Sequence, residues 1–310
     1  MAPTTRDRVV AIAEAMNYRA DPAASRLAAG RTRTVAIAVP NLSGWYFSQV
    51  VGGAEAVLSE SGYDLLVMGV SGPDARSRFL QDALELHRRV DGLIIVDIRV
   101  STDEAIRLAR ADVAVVSIGF ECEGISSVML DDVGVGERAT DHLLGLGHES
   151  LGLVAGLPED PLRFAVPNRR REGFETALAA AGLHVDPAAI VSGNFSVEGG
   201  AEAMAELLKL PEPPTAVFAM SDEMAMGAIR TARDHGLRVP DDLSVIGVDD
   251  HDLAAVMDLT TVRQDVAGNG AIAARWIVDA LEADDREVRR VVPTTRLVER
   301  SSTAPPAGRN

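Results

Sequence analysis

The chain has 310 residues, with 30 Lys+Arg against 46 Asp+Glu and a formal charge of −16. At about 150 residues per domain this length predicts two domains, and 47% hydrophobic with 25% charged residues excludes a disordered chain, a fibrous repeat and a disulfide scaffold. A single cysteine, Cys122, excludes an intramolecular disulfide and a multi-cysteine metal site. No run approaches about 18 apolar residues, so no membrane span is expected, and the amphipathic Val9–Met16 does not read as a signal peptide. Taken whole, −16 argues against nucleic acid, because phosphate binding needs local positive charge.

The charge is unevenly spread. Residues 1–34 hold Arg6, Arg8, Arg19, Arg26, Arg31 and Arg33 against Asp7, Glu14 and Asp21, a balance of +3, which leaves −16 − 3 = −19 for the rest. This head reads as two short helices. Thr4 or Thr5 caps the first, and Val9, Ile12, Ala13 and Met16 share one face. The second runs from Asp21 through Pro22 to Gly30, with capping, first-turn and stop residues in their preferred places. So short a helix is marginal alone and needs a partner surface.

From Arg33 onward short apolar runs alternate with helical stretches. Strands are expected at Val35–Val39, Leu65–Val70, Leu93–Val96, Val113–Ile118 and Val128–Leu130. A second set follows at Leu151–Ala155, Ile190–Val191, Ala216–Ala219 and Ser244–Val248. Helices are expected between most of them, at Phe47–Ser61, Gly134–Leu146, Arg170–Ala181, Ser196–Leu208 and Glu223–His235. The fold class is therefore α/β, with two doubly wound parallel-sheet lobes. A first crossing between lobes is expected near Gly134. The Ser/Pro/Gly-rich end, residues 301–310, reads as a flexible tail.

Parallel sheets bind ligands beyond the carboxyl ends of their strands. There the sequence places Asn41 and the aromatic run Trp45–Tyr46–Phe47, then Asp131–Asp132, and then Arg169–Arg170–Arg171 at a helix start. Ser221–Asp222 and Asp249–Asp250–His251–Asp252 follow. The aromatics either staple a helix to its sheet or form a stacking platform for a ring. Carboxylates and an arginine converging from strand ends make a polyol-binding rim, one accepting and the other donating hydrogen bonds. Enzyme signatures are poor: there is no G-x-S-x-G elbow, P-loop or H-E-x-x-H. Gly145–Leu146–Gly147 lacks a third glycine and precedes a strand, so it reads as a helix stop. Adjacent carboxylates in an extended segment point apart. No metal, cofactor or catalytic activity is expected.

These motifs, in this order, resemble the lactose-repressor/galactose-repressor (LacI/GalR) family of bacterial transcription regulators. The markers run from Thr5–Arg6 and Asn17–Tyr18 through Ala24–Ser25–Arg26–Leu27, Gly30–Arg31–Thr32 and Tyr46–Phe47. They continue with Asp131–Asp132, His142–Leu143–Leu144–Gly145–Leu146–Gly147–His148 and Arg170–Arg171–Glu172–Gly173–Phe174. The last are Ser221–Asp222–Glu223–Met224–Ala225–Met226–Gly227, Val239–Pro240–Asp241–Asp242, Ser244–Val245–Ile246–Gly247–Val248–Asp249–Asp250 and Val262–Arg263–Gln264–Asp265. The resemblance implies a type I periplasmic-binding-protein-like core. One lobe would be residues 33–132 plus 266–292 and the other 133–265 plus 293–300, behind a helical head at 1–32. It implies a small effector, a sugar foremost, in the interlobe cleft. Tyr46 and Phe47 would line that cleft and Asp131 would sit at the first crossover. Arg170 would grip the effector, Phe195 would stack on it, and Ser221 stands where many members have Asn. Asp249 would accept hydroxyl hydrogen bonds and Gln264 would close the rim.

The resemblance further implies a homodimer on operator DNA. Its hinge helices would carry Ala24, Arg26 and Arg31, and Leu27 would wedge into the minor groove. The sequence opens inside the third helix of the family's helix-turn-helix headpiece, so weak operator binding and a natural start upstream of Met1 are expected. The reading is an effector-responsive, cytoplasmic repressor. The alternative is a sugar-binding protein of the same fold without DNA readout, and the basic head favours the regulator.

Overall fold

The computed structural model describes residues 31–82, 86–110, 113–157, 165–283 and 287–307, with six positions of the head. Those six, Thr5, Asp7, Arg8, Ala11, Ile12 and Ala15, are helical and exposed. Ala24, Arg26 and Leu27, and with them the expected hinge helix, lie outside the described residues. Arg31 is exposed and irregular.

The alternation of apolar runs and helices resolves into two six-stranded sheets. The first is built from β1 (Thr34–Val39), α1 (Trp45–Glu60), β2 (Asp64–Gly69), α2 (Gly72–Asp82), β3 (Gly92–Val96), α3 (Thr102–Arg110), β4 (Ala114–Ile118) and β5 (Ser126–Val128). The chain then passes to α4 (Asp132–Gly145), β6 (Leu151–Ala155), α5 (Val166–Ala180), β7 (Ile190–Ser192), α6 (Val197–Leu207), β8 (Ala216–Ala219), α7 (Asp222–Asp234), β9 (Ser244–Asp249) and β10 (Thr260–Arg263). It returns through α8 (Val266–Glu282) and β11 (Arg290–Val291) to the first sheet, and crosses a third time to β12 (Arg296–Val298).

The strand orders are β11-β5-β4-β3-β1-β2 and β12-β10-β9-β8-β6-β7. Every pairing is parallel except β10 with β12. Central strands such as β3 and β6 are buried along their whole length, which is why they read as unbroken apolar runs. Their side chains alternate between faces. Leu93 and Ile95 of β3 join Ala36 and Ala38 of β1 in one core, while Ile94 and Val96 join Val35 and Ile37 in another. Helices α1 and α8 cover the second of these faces.

In each sheet the strand order reverses once, between β1 and β3 and between β6 and β8. Loops leaving the carboxyl ends on either side of such a reversal diverge and leave a crevice. The two crevices face each other, and the cleft described below lies between them.

Helices α4 and α5 approach closely. A Cβ on Gly136 would lie 2.2 Å from the Arg170 carbonyl oxygen, and one on Gly173 would lie 2.1 Å from that of Val133. Only glycine permits such an approach at both places. It sets the start of α5 against the start of α4.

Three expectations are corrected. The fifth strand is Ser126–Val128 and not Val128–Leu130. Met129 and Leu130 instead lead into the crossing, with the Met129 N–H donating to Val291. The expected nine strands become twelve among the described residues, because β10, β11 and β12 are short and lack the unbroken apolar runs that mark the others. The expected flexible tail is docked as far as residue 304. Ser302 is 3% exposed. It donates to the Val245 carbonyl at 2.6 Å and accepts from the Thr260 N–H at 2.8 Å. His148 bonds the Ala304 carbonyl at 2.8 Å. A serine-rich segment suits this place because its hydroxyls satisfy backbone groups that β9 and β10 would otherwise bury unpaired. Among the described residues, no helix is long and apolar enough to cross a membrane.

Candidate functional site

A cleft of about 240 Å³ opens between the lobes. Its lining is set by strand ends: Asn41 after β1, Asp97 after β3 and Gly119 after β4 from one side. Leu157 after β6, Asn194 and Phe195 after β7, Ser221 after β8 and Asp249 at the end of β9 come from the other. Tyr46 and Phe47 enter on the first turn of α1, Asp132 at the start of α4 and Arg170 in α5.

Arg170 is the best-held of these side chains. It is 4% exposed. Its Nε donates to Asp132 Oδ1 at 2.9 Å and its Nη1 to the Met220 carbonyl. Burial opposes its charge, yet the carboxylates of Asp132 and Asp249 keep it a stronger base than usual. Its Nη2 has no protein partner among the described residues and is left to donate to a ligand.

The carboxylates respond to crowding in a closed space. Burial pushes Asp249 up to about 6, against the pull of Arg170 and of Gln264 Nε2, which donates to Asp249 Oδ1 at 2.5 Å. Burial also raises Asp132, with Arg170 opposing. Burial and then the charge of Asp132 lift Asp97 to about 7. The Tyr46 phenol is raised well above its ordinary range by burial and then by Asp97, Asp132 and Asp249. Tyr46 and Phe47 meet edge to face, with centroids 5.2 Å apart.

The structure gathers Asn41, Tyr46, Phe47, Arg170, Phe195, Ser221 and Asp249 around one space. Two expected residues stand elsewhere. Asp131 is exposed and caps α4, accepting from the Gly134 N–H at 3.1 Å. Its neighbour Asp132 faces the cleft, because adjacent residues at a helix start point in different directions. Gln264 does not line the cleft. It is 5% exposed and donates to Asp249, with its Oε1 lacking a partner among the described residues. Ser221 lines the cleft, but its Oγ accepts from the Met224 N–H and so caps α7. Asn41 Oδ1 likewise accepts from the Ser43 N–H at 2.9 Å and holds the loop after β1.

Asp97 and Glu223 were not expected, and both line the cleft. The signal for Asp97 was available, since it directly follows the apolar run of β3. Of the three arginines at the start of α5, only Arg170 turns inward; Arg171 pairs with Glu175 on the surface at 2.7 Å. Trp45 takes the helix-stapling role and not the stacking role, and adds a contact that neither reading held. It packs on the core of its own lobe, and its Nε1 donates across the cleft mouth to Asp252 Oδ2 at 3.0 Å. Its ring lies 4.6 Å from that of His251. Among the described residues no group of His, Cys, Asp and Glu is arranged to hold a metal ion.

Two facing α/β lobes, three crossings and a cleft at both strand-order reversals define a periplasmic-binding-protein-like receptor. Residues 140–303 match the family described as periplasmic binding protein-like domain. The HTH-type transcriptional repressor CytR of Escherichia coli (strain K12) is 32% identical over 286 residues, covering 91% of this chain and 82% of that protein. Catabolite control protein A of Priestia megaterium is 30% identical, with 97% and 91% covered. Among solved structures, a complex of the transcriptional regulator CelR with cellobiose superposes with a TM-score of 0.76 at 29% identity, covering 97% and 91% of the two chains. A LacI family transcriptional regulator from Enterococcus faecium with bound ribose gives 0.75 at 28%, covering 88% and 99%. The chain belongs to the LacI family of transcriptional regulators.

Proposed function

We propose that this chain is a cytoplasmic repressor, not an enzyme, whose interlobe cleft binds a small sugar-like effector. Occupation of the cleft shifts the two lobes relative to each other. In a homodimer that shift moves the paired heads on operator DNA. The segment carrying Ala24, Arg26, Leu27 and Arg31 is the part assigned to DNA, and the +3 head on an acidic body supports that division of labour.

The observation that carries the effector reading is one constellation. Hydrogen-bond acceptors (Asp97, Asp132, Asp249), a buried guanidinium (Arg170) and aromatic faces (Tyr46, Phe47, Phe195) line the same 240 Å³. Hydroxyls bridge acceptors and donors, and the apolar face of a sugar ring lies on aromatic carbon. That related regulators carry cellobiose and ribose agrees with this chemistry.

The test is a thermal-shift screen against sugars and nucleosides, followed by calorimetry on Asp249→Asn. Asparagine matches the size of the aspartate that already holds the positive φ of 113° at this position, and it keeps an oxygen for Gln264. The variant is expected to fold normally and to bind the hit about tenfold or more weakly. Unchanged affinity would remove Asp249 from the site. A gel shift on operator DNA that ignores the effector would remove the coupling.

A further inference from the structure

Four carboxylates line the cleft, Asp97, Asp132, Asp249 and Glu223, and the described lining holds one basic side chain, Arg170. Three of the four are engaged by the protein. Asp132 is paired with Arg170, Asp249 accepts from Gln264, and Glu223 is steadied by the backbone N–H of Trp45. Asp97 differs, since its carboxylate has no hydrogen bond or ion pair among the described residues. The fold nevertheless provides a place for it. Asp97 holds a left-handed φ of 52°, a conformation that few residues other than Gly, Asn and Asp adopt. Across from it Gly119 has a φ of +86°, and a Cβ there would lie 1.8 Å from Asp97 Oδ1. Two uncommon backbone conformations thus keep one unpaired carboxylate in the cleft.

We infer that Asp97 sets the chemical class of the effector: the cleft takes an uncharged or amine-bearing hydroxyl-rich molecule whose donors saturate Asp97, and it rejects phosphorylated and carboxylated relatives. This deepens the effector reading above and rests on it. An anionic group would meet four carboxylates and a single guanidinium, whose charge is already paired with Asp132 and which has only Nη2 left to offer. Like charges in a closed site repel strongly.

A consequence concerns protons. The charged and titratable groups facing Asp97 are Asp132 at the start of α4 and Arg170 of α5, with Tyr46 of α1 coupled to it. Burial first, and Asp132 next, hold the Asp97 carboxyl at about 7, with Arg170 pulling the other way. Near neutral pH it is half-protonated when the cleft is empty. A ligand whose donors saturate both oxygens selects the ionised form, because a protonated carboxyl turns one oxygen into a donor, and so its binding releases a proton. Affinity then tightens about tenfold between about pH 6 and about pH 8, as the competent fraction grows. An anionic effector would show the opposite slope.

The experiment uses the 310-residue chain and matched probes. Ribose, glucose, glucosamine and cytidine are each screened by thermal shift beside their terminal phosphate esters, with inorganic phosphate as the bare anion. Each hit is then titrated by calorimetry at about pH 6 and about pH 8, on the wild type and on Asp97→Asn. Asparagine is isosteric and tolerates left-handed φ, so this variant keeps the fold. The expected result is that an unphosphorylated probe binds, its phosphate ester does not, and affinity rises with pH. In Asp97→Asn that pH dependence shrinks to the about twofold part left by Asp249, which titrates at about 6, and affinity at about pH 8 falls about tenfold. A phosphate ester or inorganic phosphate that stabilises the wild type more than the parent compound overturns the inference. So does a neutral hit whose affinity is flat with pH or unmoved by the substitution. If no probe of either kind binds, the effector reading itself fails, a result distinct from a hit with the wrong charge or slope.

Discussion

Arg170 and Asp132 form a pair whose side chains are 4% and 6% exposed. Removing one partner of a buried pair leaves the other charge without compensation. Arg170→Ala is therefore expected to destabilise the protein by about 3–5 kcal/mol, measured by denaturant unfolding, besides weakening effector binding. Adding Asp132→Asn to that variant should recover a large part of the loss, because it removes the orphaned charge. If the single variant unfolds like the wild type, the pair is not the anchor of this wall. Which carboxylate faces the cleft was not legible in Asp131–Asp132, because two adjacent acids at a helix start are equivalent in sequence. The N-cap hydrogen bond from Gly134 to Asp131 decides it, and that depends on where α4 begins. Gln264 was misplaced for a similar reason: sequence order puts it near the rim, while its hydrogen bond turns it toward Asp249.

At the scale of elements, apolar runs identified the buried strands because β1, β3, β4, β6, β8 and β9 lie in the interior of sheets covered on both faces. β10 and β12 follow no such pattern. Thr260 and Thr261 are buried polar residues, and β12 is Arg-Leu-Val. They exist because the third crossing brings the chain back along β10, a long-range arrangement that no local window contains. Helix contacts are equally non-local. Gly173 reads as an ordinary small residue, yet it lets α5 meet α4. Gly173→Ala would put a methyl 2.1 Å from the Val133 carbonyl oxygen and 2.8 Å from the Glu137 nitrogen, both backbone atoms that cannot rotate away. The helices must separate, at about 1–3 kcal/mol. Since Asp132 and Arg170 sit on those two helices, effector affinity should fall along with the melting temperature. A variant that loses stability but keeps full affinity would show that the helix crossing does not position the site.

For the molecule as a whole, closure of the cleft depends on what joins the lobes besides the three crossings. Trp45 starts α1 in one lobe, while His251 and Asp252 follow β9 in the other. The indole N–H reaches Asp252 at 3.0 Å, and the ring lies 4.6 Å from His251 at a 33° tilt. This contact lies outside the cleft lining, so it bears on the balance of open and closed forms without touching the effector. Trp45→Phe keeps an aromatic ring against His251 and removes only the donor. An exposed hydrogen bond of this kind contributes about 0.5–1 kcal/mol. If the effector binds the closed form, its apparent affinity should weaken about two- to fivefold through the smaller closed population. The ligand-free variant should also scatter as a slightly larger particle in solution X-ray scattering, and saturating effector should restore the wild-type profile. The protein has two tryptophans, Trp45 and Trp276, so a Trp276→Phe background isolates Trp45 fluorescence as a direct report of the contact. Affinity and scattering that both match the wild type would mean that the crossings alone set the lobe angle. A weakened affinity with unchanged scattering would place the effect inside the cleft and not in closure.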